Sequence, residues 1–258
     1  MDKSFHSLDQ HFHLPHIRKV NAGRPLAWLG QGWQDMRQHL GASLAYGLFF
    51  AALGYLLLSY AASLPYLFTA AISGFFLVGP LAAAGLYEIS RRSERGEPCS
   101  LTDSLRGLVR QADSLLYFGL FLALVLIGWE RLSAILFALL YPGNVPELSG
   151  FARQVFLSGE YTDFVLAYVA VGGILAVVVF TLAAVAVPML MDRDTDAITA
   201  AMTSARAVAL NPVAMAVWAV LIVVLMAIGF ATMMIGMVIL LPLLGHATWH
   251  AYRDLVGD

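Results

Sequence analysis

The run PVAMAVWAVLIVVLMAIGFATMMIGMVILLPLL, residues 212–244, has no charged side chain and passes directly into GHATWHAYRD, residues 245–254. At 1.5 Å per residue the apolar part would stretch about 50 Å as one helix, against roughly 30 Å of hydrocarbon in a bilayer. A single span of that length needs severe tilt. The run is therefore read as two spans, about 213–229 and 231–251, joined by a tight turn at Gly229-Phe-Ala-Thr232. The alternative is one kinked helix, which would put the C-terminus on the other side of the membrane.

The rest of the chain has the same character. It has 258 residues, 60% hydrophobic and only 12% charged, with a mean hydropathy of +0.76. That leaves too little polar surface to cover a soluble globule. In lipid the backbone must satisfy its own hydrogen bonds, so an all-α polytopic bundle follows, with the lipid bilayer as its first partner. A formal net charge of -2 gives no basic signature for nucleic acid. The single Cys99 excludes an internal disulfide framework. Residues 1–39 show no short apolar core with a small-residue cleavage site, so the first span is expected to act as its own insertion signal.

Six spans are expected, at about 41–60, 66–89, 114–139, 164–189, 213–229 and 231–251. Trp129-Glu130-Arg131 interrupts the third, which either ends near Trp129 with the remainder in the outer interface or, the reading preferred, continues as one long or kinked helix whose charges snorkel to that interface. Ala70 with Gly74, and Gly172 with Ala176, have the small-xxx-small spacing of close helix packing. Pro80 is expected to kink the second span. Residues 1–24 read as a flexible tail, and its His6, His11, His13 and His16 lack the fixed spacing of a metal site. The remainder, 25–256, reads as one bundle domain.

With six spans, Lys3, Arg18, Lys19, Arg24, Arg37, Arg91, Arg92, Arg95, Arg106, Arg110, Arg193, Arg206 and Arg253 share one side, and only Arg131 and Arg153 fall on the other. The positive-inside rule makes the first side cytoplasmic, with both termini there.

A pattern recurs three times, from near Gly30, Ser100 and Thr195: a short cytoplasmic amphipathic helix, an outward span, a turn, and a returning span with a proline near its end. Trp28 and Trp33 suggest that the first short helix lies at the headgroups. Ser100 and Asp103 form a capping-box variant that starts the second. In the third, Ile198, Ala201, Met202 and Ala205 form the apolar stripe. Superposing the three prolines brings Ala84, Asp192 and His246 into register four residues later, and Glu88, Asp196 and His250 eight residues later.

These returning ends carry the candidate chemistry. His246 and His250, at i and i+4, suit a divalent metal, which Glu88 or Asp192 could help complete. They do not suit the two axial positions of one haem, which need ligands on opposite faces. The competing reading is an ion-paired belt of Glu88, Arg91, Arg92, Asp192, Arg193, Asp194, His246, Trp249, His250 and Arg253 that fixes the helix ends, with Trp249 and Tyr252 as interface anchors. A ligand or partner site is the third. No cofactor is required by the sequence, and no nucleotide loop, nucleophile elbow, zinc-protease helix or paired-cysteine motif gives positive support for an enzyme.

The segments Arg24-Pro-Leu-Ala-Trp-Leu, Ser73-Gly-Phe-Phe-Leu-Val-Gly-Pro80 through Gly85-Leu-Tyr-Glu-Ile-Ser-Arg-Arg92, Pro188-Met-Leu-Met-Asp-Arg-Asp194 and Gly245-His-Ala-Thr-Trp-His-Ala-Tyr-Arg-Asp254 carry a resemblance. Together they are similar to a domain-of-unknown-function family of bacterial integral membrane proteins, often labelled putative cytochrome c oxidase subunit I. The resemblance covers about residues 18–256 and implies a bacterial inner-membrane location, with no established activity. A catalytic oxidase subunit of that kind is a twelve-helix bundle with six histidine ligands inside the membrane. Here no histidine lies in the middle of any span. What the label implies is an accessory or assembly role beside a respiratory complex. A small transporter or channel, and a metal-binding membrane protein, are the alternatives.

Overall fold

The computed structural model describes residues 14–61, 75, 79–140 and 161–257. Among them are ten helices and no strand: α1 (Arg24–Gln38), α2 (Leu40–Ala61), α3 (Ala84–Glu94), α4 (Leu101–Arg110), α5 (Ala112–Leu140), α6 (Thr162–Ala183), α7 (Ala186–Asp192), α8 (Ala197–Leu210), α9 (Pro212–Ala231) and α10 (Met237–Leu255). Four stretches are long and apolar enough to cross a membrane: Leu40–Ser59, Ala112–Leu140, Thr162–Asp192 and Pro212–Ala231. The outer part of the span expected at 66–89, with Ala70 and Gly74, lies outside the described residues, as do His6, His11 and His13.

The threefold repeat is built into the backbone. Each short helix hands over to the following span through one non-helical residue: His39 between α1 and α2, Gln111 between α4 and α5, and Asn211 between α8 and α9. The capping box forms as expected, with the Ser100 hydroxyl accepting from the Asp103 amide at 3.1 Å and the Ser100 amide donating to the Asp103 carboxylate. Each short helix then packs on a returning segment: α1 on α10, α4 on α3 and α8 on α7. The three returning segments pack on one another. Because α1 rests on α10, the first repeat closes onto the last.

The prolines act where the lost N–H predicts. Pro188 cannot donate to the carbonyl of Ala184, four residues earlier, and the helix breaks at Ala184–Val185, so the fourth span divides into α6 and α7. After Pro80 the helix is interrupted at Ala83 before α3 begins. Pro242 lies inside α10 and leaves the Val238 carbonyl without its helical donor. Gly47 of α2 lies directly against that carbonyl, a contact that only a residue lacking Cβ permits.

Several expectations are corrected. The 212–244 run does divide in two, but its turn occupies residues 232–236 rather than Gly229–Thr232, with positive φ at Met233 (52°) and Met234 (68°). On α8 the expected stripe of Ala201, Met202 and Ala205 is half-buried, and the most buried face is one residue round from it. Ala200, Thr203, Ser204 and Ala207 are buried and Ile198 is exposed, because small residues let helices approach closely while large apolar ones are tolerated by lipid. Trp28 is not an interface anchor but fully buried, edge-on to Trp218 with ring centres 5.7 Å apart, whereas Trp33 is exposed. The expected tail is held from His16 onward: the His16 carbonyl accepts from the Gly257 amide, Ile17 pairs with Val256 in an antiparallel bridge, and the Asn211 side chain bonds the backbone of Arg18 and Val20.

The chain divides into two compact units, with boundaries inside α2, α5 and α6. The first comprises Met1–Ala51, Pro80–Phe118 and Phe180–Asp258, and holds the short helices and returning ends. The second comprises Ala52–Gly79 and Gly119–Val179. Within it, α5 continues unbroken through Trp129-Glu130-Arg131, as one long helix. Trp129 stacks edge-on to Tyr168 at 5.0 Å, and Gly172 leaves the room its ring occupies. Phe137 meets Phe164 at 5.7 Å.

A polar network at the helix ends as candidate functional site

The first unit buries a chain of polar side chains drawn from four helices. His246 of α10 is fully buried, with Nε2 2.9 Å from the Ser43 hydroxyl of α2 and Nδ1 2.8 Å from the Ser90 hydroxyl of α3. Ser90 in turn donates to Asp35 Oδ2 of α1 at 2.6 Å, and His250 Nε2 lies 2.9 Å from the same oxygen. The proton positions follow from which groups can donate. The Asp35 carboxylate only accepts, so the Ser90 proton points to it, and Ser90 Oγ must accept from His246 Nδ1–H. Nε2 of His246 is then the acceptor of the Ser43 proton. His246 is a neutral imidazole relaying Ser43 to Ser90.

Burial opposes charge on Asp35, but hydrogen bonds from His250 and Ser90 outweigh it and hold the carboxyl below its ordinary range. At the C-terminal end of α10, burial likewise opposes charge on Asp254. There Arg24 Nε (2.6 Å) and Trp28 Nε1 (2.9 Å) donate to one oxygen and depress the pKa.

Glu88 anchors a second cluster. Its buried carboxylate receives Arg91 at 2.7 and 2.8 Å, Arg92 at 2.8 Å and Arg110 of α4 at 3.2 Å. Asp192, at the end of α7, accepts from the Tyr252 hydroxyl at 2.8 Å and pairs with Arg95 at 3.1 Å and Arg253 at 3.6 Å. Arg193 donates to the Tyr252 oxygen at 2.9 Å and the Gly257 carbonyl at 2.6 Å.

The sequence-selected residues are therefore gathered in one unit but not around one point. His246 and His250 diverge to different partners, and both ring nitrogens of His246 are engaged by hydroxyls. Among the described residues no three His, Cys, Asp or Glu side chains come together as a metal site. Glu88 and Asp192 are each surrounded by arginines. Asp194 is exposed on the loop after α7. Asp196, expected in register with Glu88, lies beyond the end of α7 and caps α8, accepting from the amides of Ile198 and Thr199 at 2.9 Å each. Trp249 is not an interface anchor: it is fully buried, 5.5 Å from the Tyr252 ring, and its Nε1 has no hydrogen-bond partner among the described residues. A helix packed against α1, α3, α7 and α9 keeps its indole in protein rather than at the headgroups.

Asp35, Ser43 and Ser90 complete the relay and were not singled out from the sequence. A signal for Asp35 existed: Trp28, Gly32, Asp35 and Met36 fall at i, i+4, i+7 and i+8, one helical face. The two serines gave none, since isolated hydroxyls are common in spans.

Comparison with known families bears on this arrangement. Residues 67–192 match the family described as Predicted integral membrane protein (DUF2189). The matched segment is a little under half of the chain. It takes in Glu88, its three arginines and Asp192, and it agrees with the resemblance read from the sequence. No curated protein and no solved structure matches the chain. Family and fold agree that this is an integral membrane protein.

Proposed function

We propose that the chain is a non-enzymatic accessory or assembly protein of a bacterial inner membrane, which binds another membrane protein and keeps both termini in the cytoplasm. The observation that carries this reading is the contrast between the two kinds of surface. Most polar side chains of the returning ends pair within the first unit, whereas only 11% of the most apolar part of α5 is buried. Leu116, Leu120, Leu124, Ile127, Ile135 and Leu139 stand exposed along it. A long uncovered helix is what lipid or a partner helix packs against. The orientation is supported by charge: every described Lys and Arg except Arg131 belongs to the first unit.

The test is recovery of the protein from native membranes in mild detergent, compared with variants carrying Leu124→Trp or Ile127→Trp on the exposed face of α5. Co-recovery of a membrane complex that the variants lose supports the reading. Terminal oxidase subunits in that complex would give the respiratory association its identity. Recovery alone, together with solute flux in proteoliposomes, would replace it with a transporter.

A further inference from the structure

Three helix ends of the first unit converge on a cleft of about 480 Å³ lined by Glu94, Arg95, Asp192, Arg193 and Arg253. Each returning segment contributes one guanidinium: Arg95 follows α3, Arg193 follows α7, and Arg253 stands in the last turn of α10. Cations at helix C-termini are stabilised by the exposed carbonyls there, which accounts for one arginine at each end. It does not account for all three facing a common space.

The charges around the cleft do not cancel. Arg95 pairs with Asp192 at 3.1 Å, and Arg253 pairs with Glu94 at 3.2 Å and Asp192 at 3.6 Å. Arg193 instead donates to two neutral oxygens, the Tyr252 hydroxyl and the Gly257 carbonyl. Among the described residues lining the cleft, three guanidiniums thus face two carboxylates, a surplus of one positive charge. A guanidinium has five N–H donors in a planar fork that matches tetrahedral oxyanions. The bonds of Arg95 and Arg193 leave donors for such a ligand.

We propose that this cleft binds a phosphate group carrying one negative charge, held by Arg95, Arg193 and Arg253. The group is either the phosphodiester of an anionic lipid or a free phosphate. The inference does not depend on a protein partner, and a failure of co-recovery leaves it standing.

The full chain, purified in a neutral detergent, is titrated calorimetrically with inorganic phosphate and examined by native mass spectrometry after incubation with phosphatidylglycerol or phosphatidylcholine. Arg95→Gln combined with Arg253→Gln is expected to weaken binding by at least about tenfold, as loss of charge-assisted bonds requires. Arg106→Gln, whose side chain is 79% exposed on α4, is expected to leave it unchanged. If the double variant does not fold, Arg95→Gln alone carries the comparison, since Arg95 is half exposed. Selective retention of phosphatidylglycerol identifies a lipid headgroup. Phosphate binding without that retention identifies a soluble ligand. Absence of both, or equal binding by wild type and cleft variants, overturns the proposal.

Discussion

Gly32 of α1 and Ala247 of α10 are in backbone contact: a Cβ built on Gly32 would lie 2.6 Å from the Ala247 nitrogen. The obstacle is helix backbone, which cannot rotate away, so Gly32→Ala must separate the helices that close the first repeat onto the last. Overpacking of this kind costs about 1–3 kcal/mol. Gly30, on the same helix, has nothing within 4 Å of its missing Cβ, and Gly30→Ala should stabilise by about 0.5–1 kcal/mol through helix propensity. Thermal unfolding in detergent should move in opposite directions for the two variants. Shifts of the same sign would mean that α1 does not pack as described.

Asp35 should make stability depend on acid. Its folded-state pKa is depressed below the ordinary value of 3.8. Its contribution is therefore fully present above that value and is lost as pH falls through the lower folded-state pKa. Unfolding temperatures measured from neutral pH to about pH 3 should fall more steeply below about 4 for the wild type than for Asp35→Asn. Other depressed carboxylates, Asp254 among them, titrate in both proteins, so the difference between the curves is what reports Asp35. Parallel curves would remove Asp35 from the relay.

The relay itself predicts non-additivity. Ser90 is the link between His246 and Asp35, so Ser90→Ala leaves His246 Nδ1–H without its acceptor and Asp35 without one donor. A buried donor left unsatisfied costs about 1–3 kcal/mol. Once Ser90 is gone, His246→Ala should cost measurably less than in the wild type, with a coupling of about 0.5–3 kcal/mol in a double-mutant cycle. Additive losses would show that the two side chains act independently.

What the sequence disclosed and what it hid divide along a physical line. Run length and periodicity gave the four spans seen among the described residues, the short helices, the Ser100 capping box and the threefold repeat, because these depend on local chemistry. Which face of a helix is covered does not. In a membrane both lipid and protein accept Ile198 or Trp28, so hydropathy could not tell that Ile198 faces out and Trp28 faces in. The site shows the same limit: Glu88 with Arg91 and Arg92 was readable as i+3 and i+4 neighbours, whereas Arg110 joins them from another helix and Asp35 meets His250 from 215 positions away. Length showed that the last apolar run must turn but not where, and the usual residue for positive φ, glycine, does not mark the place. The chain uses Met233 and Met234 instead.

The cost of positive φ at these two methionines can be tested. Met233 is exposed and Met234 is buried, with φ of 52° and 68°. A left-handed conformation costs a residue with a Cβ about 1–2 kcal/mol. Met233→Gly should relieve strain without losing packing and raise the unfolding temperature. Met234→Gly relieves the same strain but empties a buried site, where losing a methionine side chain costs about 2–5 kcal/mol, so it should lower it. If both variants destabilise, the turn is not strained at Met233.

Glu88 tests whether the arginine cluster is structural. Its carboxylate is buried while Arg110 is 61% exposed, so the pairings are unequal: Arg91 and Arg92 are 11% and 15% exposed and depend on Glu88 far more. Glu88→Gln keeps the shape and removes the charge that both partly buried guanidiniums pair with. Breaking a buried pair from one side costs about 3–5 kcal/mol, and partial exposure of the arginines should bring the loss to the lower end. Arg110→Gln, by contrast, removes a pairing open to solvent, which is worth about 0–1 kcal/mol. The ratio of the two losses in thermal unfolding is the informative quantity. A Glu88→Gln loss no larger than that of Arg110→Gln would mean the carboxylate is not needed to compensate the Arg91 and Arg92 guanidiniums on α3, and the case for a ligand-binding role of this cluster would have to be opened.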